Sequence, residues 1–122
     1  MKIPPIYETA RQSADVLTLL GDPTRLYGFG ENDDIPAVMP YAVWQQISGR
    51  PENFLSGRPD ADHYSMQIDV YADTAQEARD VADALCAALE LHCYITSWRG
   101  QSRDIETESF RISFDVDWIT SR

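Results

Sequence analysis

The stretch QIDVYADTAQEARDVADAL, Gln67 to Leu85, decides the fold, because the spacing of its apolar residues changes midway. Up to Tyr71 they alternate: Tyr64, Met66, Ile68 and Val70 share one face, and His63, Ser65, Gln67 and Asp69 share the other. That period of two predicts a half-buried antiparallel strand over 63–71. Asp73-Thr74 then opens a helix, with Thr74 and Glu77 at the spacing by which a capping pair satisfies free backbone N–H groups in the first turn. Ala78, Val81, Ala82, Leu85, Ala88 and Leu89 follow at helical spacing and form one apolar stripe.

Working outward, Phe110 to Trp118 reads as the strongest strand: Phe110, Ile112, Phe114, Val116 and Trp118 face inward, and Arg111, Ser113, Asp115 and Asp117 face outward. A shorter strand is expected from Cys93 to Trp98, and a polar loop from Arg99 to Ser109. On the other side, Tyr41 to Ser48 predicts a strand with Tyr41, Val43 and Ile47 on one face and Ala42, Trp44, Gln46 and Ser48 on the other. Trp44 leaves open which of these faces is buried. Arg25 to Phe29 is a short aromatic edge strand, and Ile6 to Leu20 is a helix, with Ile6, Ala10, Ala14, Leu17 and Leu20 on its apolar side. Pro4-Pro5 and Gly21 bound that helix. The order α-β-β-β-α-β-β gives an α+β class, a twisted and mainly antiparallel sheet with two helices packed on one face. Its other side is left to water or a partner. Residues 1–122 fit a single domain.

Composition narrows the function. Hydrophobic residues are 43% and charged ones 25%, as in ordinary globular domains. No window approaches the apolar length of a membrane span and the N-terminus lacks a signal-peptide core, so no membrane partner and a cytosolic chain are expected. Cys86 and Cys93 are expected as free thiols. Twenty acidic against ten basic residues leave a formal charge of −10, which argues against direct grip on phosphates. The same charge suits a wall past which DNA slides, or a DNA-mimic inhibitor.

Chemistry is hard to place. His63 and His92 are the only histidines, His92-Cys93 lacks repeated zinc-ligand spacing, and no Gly-rich phosphate loop is present. Asp60 and Asp62 beside His63 sit in a plain turn, and Asp33-Asp34 and Glu106-Thr107-Glu108 read as solvated loop charge. No catalytic, metal or cofactor-binding residue is therefore assigned, and no cofactor is expected. Two sets remain. Phe54-Leu55, in the long segment Gly49 to Asp62, is a candidate oligomer or tube contact; Asp69, Asp115 and Asp117 are candidate acidic residues facing a channel.

Four stretches together resemble one family: LLGDPTRLYGFG (Leu19 to Gly30), PYAVWQQISGRPENFLSG (Pro40 to Gly57), QIDVYADTAQEARDVADAL (Gln67 to Leu85) and FRISFDVDW (Phe110 to Trp118). The chain resembles the tail-completion proteins of long-tailed bacteriophages and prophages, and is similar to tail-terminator and head-to-tail joining proteins. The resemblance implies a virion subunit of the tail or neck, assembled in the bacterial host cytoplasm. It implies a self-assembled ring, a hexamer, that caps the tail tube protein and meets a head connector or neck protein, with DNA present only in passage. It brings no catalytic residues. A neck adaptor, an acidic DNA-mimic inhibitor and a small enzyme are the alternatives.

Overall fold

The structure, a computed structural model, describes residues 3–52, 57–106 and 108–121. The chain runs α1 (Ile6–Ala10), α2 (Ala14–Leu20), β1 (Leu26–Gly28), β2 (Tyr41–Pro51), β3 (Ala61–Ala72), α3 (Ala75–Leu89), β4 (Tyr94–Arg103) and β5 (Phe110–Ser121). The five strands form one open sheet in the order β1-β2-β3-β5-β4. Only β1 and β2 pair in parallel; the other neighbours are antiparallel. The expected α+β sheet is present, and its helices lie on one face.

The helix expected from Ile6 to Leu20 is two helices. Ser13 takes an extended backbone and its hydroxyl accepts from the Val16 N–H at 3.3 Å, so the chain stops and starts again with a new cap. The restart shifts the helical phase, so Val16 and Leu20 are buried and Leu17 is only half-buried. Beyond α2, Gly21 adopts φ +82°, and a Cβ there would lie 2.8 Å from an Arg25 guanidinium nitrogen. That guanidinium donates to Leu19 O and, at 2.8 Å, to Pro40 O, tying the end of α2 to the entrance of β2.

Packing of helix α3 on the sheet forms the centre of the core. Thr74 Oγ1 accepts from the Glu77 N–H at 3.1 Å, and Ala78, Val81, Ala82, Leu85, Ala88 and Leu89 are all buried, joined by Cys86. They meet Met66, Ile68, Val70, Ile112, Phe114 and Val116 from the two central strands, and α1 and α2 close over α3. The buried face of β2 is that of Ala42 and Trp44, since Ala42 pairs with Val70 and Trp44 with Ile68. Ile47 falls at an irregularity between Gln46 and Ser48 and is exposed. Four strands are longer than the sequence suggests: β2 continues to Pro51, β3 spans Ala61–Ala72, β4 continues to Arg103 and β5 to Ser121. The segment between β2 and β3 is thereby shortened to 52–60, within which Phe54 and Leu55 lie outside the described residues.

Phe114 is fully buried in the middle of this core. Phe114→Ala is expected to cost about 3–5 kcal/mol, the transfer loss plus an unfilled cavity, measured as a shift in the urea unfolding midpoint. A loss below about 1 kcal/mol would mean that the core is not centred on this ring.

Candidate functional site: the open face and the edges of the sheet

The side of the sheet away from the helices is built from the alternate residues of the same strands. On β3 these are His63, Ser65, Gln67, Asp69 and Tyr71; on β5 they are Arg111, Ser113, Asp115, Asp117 and Ile119. The register sets Gln67 opposite Asp115, Ser65 opposite Asp117, Asp69 opposite Ser113 and Tyr71 opposite Arg111. Asp69, Asp115 and Asp117 are thus brought together on one face. None stands bare.

Asp69 Oδ1 accepts from Ser113 Oγ, from Gln67 Nε2 at 3.0 Å and from Arg111 Nη2 at 3.1 Å, with its side chain 12% exposed. Asp115 accepts from Arg99 Nε at 2.8 Å, reaching across from β4. Asp117 accepts from Ser65 Oγ at 2.8 Å and lies 3.3 Å from His63 Nε2. Arg50, at the end of β2, pairs with Glu52 at 3.3 Å. Each described basic side chain on this face therefore has a carboxylate partner, and the surface is polar but close to balanced. The Asp115 hydrogen bond raises the Arg99 pKa, with the Asp115 charge adding to it. For Arg111, burial works against the charged form and the Asp69 hydrogen bond and charge outweigh it, for a net rise. Alternation identifies the acids, but their pairing needs strand order, and Arg99 lies in a stretch that reads as a loop until β4 is seen to continue through it.

The face is continued toward β1 by aromatic rings. Tyr41 stacks on Tyr71 with centroids 5.0 Å apart, and Tyr27 tilts against Tyr41 at 6.4 Å. Both stacked hydroxyls have raised pKa values, chiefly through burial; Asp104 adds to the rise for Tyr41 and Asp69 for Tyr71.

The edges are apolar. At β4, Tyr94 is 74% and Trp98 57% exposed, and the Trp98 ring rests against Phe114 at 5.6 Å. At the other edge, β2 runs on past the end of β1, leaving a groove of about 430 Å³ lined by Ile3, Phe29, Glu31, Trp44, Gln45 and Gln46. Phe29 and Trp98 each end an expected strand, and alternation alone gives neither a role at an edge. The available signal was that such a residue in an edge strand has little to bury it.

Among the described residues no group of three His, Cys, Asp or Glu is placed to hold a metal ion, and no helix is long and apolar enough to cross a membrane. Cys86 and Cys93 are free and buried, with pKa values pushed up to about 12 by burial and then by nearby Glu90. Such thiols are poor nucleophiles.

The open, mainly antiparallel sheet thus has helices on one side and a balanced polar face on the other. The fold is shared with solved virion proteins. A chain from the virion of a native gene transfer agent particle matches with a TM-score of 0.72 at 15% identity, covering 96% of this chain and 92% of that one. The gp17 protein of bacteriophage SPP1 matches with a TM-score of 0.56, also at 15% identity, covering 96% and 86%. No curated protein sequence matches. The model of the tail completion protein gp17 family matches residues 4–121, and the chain belongs to that family of structural phage tail proteins.

The cysteines set a pH dependence. Folding raises both thiols from 9.0 to about 12, so the unfolded chain loses those protons first. Stability should hold below about pH 9 and fall as pH rises toward about 12, with the two tyrosines adding in the same direction. The urea midpoint is expected to be lower at about pH 10.5 than at about pH 8, and a C86A/C93A variant should lose less over that interval; equal losses would exclude the thiols as the cause.

Proposed function

We propose that this chain closes the head-proximal end of the phage tail. Copies join head to tail into a ring of six that caps the tail tube and presents its far rim to the head connector or neck protein. The observation that carries this reading is the family match over residues 4–121. The open sheet supports it, since helices cover one face and leave the other face and both edges for neighbours. The role is structural, without catalysis or a cofactor, and assembly takes place in the host cytoplasm. Phe54 and Leu55 serve as a tube or subunit contact.

In this ring the open face, with Asp69, Asp115 and Asp117, lines the channel, and DNA meets it only in passage. Pairing changes what those acids do there. They occupy the guanidinium groups of Arg99 and Arg111, so these cations are engaged before a phosphate arrives, and Asp117 lies beside the His63 imidazole. A wall of engaged charges neither grips DNA nor depends on long-range repulsion, which salt screens within about 10 Å.

The test of the role is light scattering over a concentration series, alone and with preformed tail tubes, followed by electron microscopy of the tube tips. Caps at one end are expected, and a folded F54S/L55S variant should form none. A chain that ignores tubes would overturn tail closure and favour a neck adaptor; normal caps from F54S/L55S would remove that pair from the contact. The channel assignment is tested separately with Asp115→Asn, which releases the exposed Arg99. DNA ejection should slow in low salt and recover as salt rises. An ejection rate equal to wild type at low salt would take this face out of the channel.

A further inference from the structure

We infer that Trp98 anchors one copy of this chain to the next by seating in the groove beside Trp44 at the opposite edge of the neighbouring sheet. The inference rests on the ring proposed above and names its subunit contact.

Register provides the first support. Trp98 pairs with Phe114, Phe114 with Ile68, Ile68 with Trp44, and Trp44 with Gly28, so these residues form one row across all five strands. The row lies on the helix-bearing face and ends in Trp98 at one edge and in Gly28, beside the groove, at the other. A head-to-tail repeat that moves the sheet sideways keeps both face and level. It brings Trp98 of one copy to the groove of the next, with β4 running antiparallel to β1 and β2.

Shape and exposure agree. Trp98 is held by Phe114 on one side and is 57% exposed, while Phe29 on the groove wall is 77% exposed. A rigid aromatic entering an apolar pocket is the common form of an interface anchor. At Gly28 a side chain would run into the Glu31 carboxylate and, at 2.9 Å, the Trp44 ring, so the absence of a Cβ gives the Glu31 carboxylate and the Trp44 ring their room beside β1. Irregularities between Ile95 and Ser97 and between Trp98 and Gly100 bracket the anchor. They interrupt the free edge of β4, so the contact is made by a side chain rather than by indiscriminate extension of the ladder.

Charge is complementary between the edges. Strand β4 ends in Arg103 and carries no acid, its other arginine, Arg99, being held by Asp115, whereas 29–38 carries Glu31, Asp33 and Asp34 and no base. Arg79 and Asp83 of α3 share a surface depression with Trp98, so Arg79 is the cation beside the anchor, and Glu31 lines the groove. Opposite charges around an apolar anchor select the heterologous contact over the pairing of two like edges.

The experiment reverses the flanking charges and counts capped tube ends. Arg79→Glu and Glu31→Arg should each lower capping about tenfold, and both in one chain should restore it. Trp98→Ala should abolish capping and Trp98→Phe should keep part of it. Single reversals that cap like wild type would overturn the Trp98 contact while leaving the ring. Single reversals that fail and are not rescued together would also overturn it. Wild-type protein that never caps would overturn the ring and this contact together.

Discussion

The pairing of β3 with β5 is the constraint on which the rest depends. Twelve residues of each strand are in register without a bulge, from Ala61 opposite Ser121 to Ala72 opposite Phe110. Even positions of both strands go under α3, and odd positions form the open face. A slip of one residue would send Ile68 and Phe114 into water and Asp69 and Asp115 into the core. The hydrogen bonds of Asp69 to Ser113 and Arg111, and of Asp117 to Ser65, form in this register, so the polar face pins the alignment that the apolar face needs. A carboxylate left without its partners at such low exposure would be costly, which makes the network a specificity device as well as a surface.

Once that register holds, the edges follow. Strand β2 is placed by Trp44 against Ile68 and β4 by Trp98 against Phe114, and the same row that centres the core ends in an exposed tryptophan and a groove. In the proposed ring, the packing that makes the monomer stable also sets the height at which neighbours meet. Helices then lie outside the ring and the open face inside.

Much of this could be read in the chain. The change of period at Tyr71 to Thr74 located α3 and its stripe, and alternation alone separated Phe114 from Asp115. What failed has physical reasons. The break at Ser13 was hidden because apolar spacing runs on across it, and a capping hydroxyl leaves no mark on hydrophobic period. Trp44 left the buried face of β2 open until its pairing with Ile68 was known. The acids were legible as a row, but their neutralisation was not, because Arg99 meets Asp115 and Arg111 meets Asp69 only through strand order. The groove at Gly28 needs β1 beside β2, a parallel pairing with no local signature.

Where the net negative charge resides follows from the same pairing. On the open face Asp69 and Asp115 are matched by guanidinium groups, so most of the excess acid lies elsewhere. Part of it lines the groove between α2 and α3, where Asp15, Asp80 and Asp83 face one another, and part lies in Glu31, Asp33 and Asp34. A formal charge of −10 read from composition suggests an acidic channel wall. The fold instead puts acid on the helix layer and one edge, and leaves the sheet face nearly neutral. In the proposed ring, the acidity of the chain governs how copies find one another, and the balance of the open face governs how DNA passes.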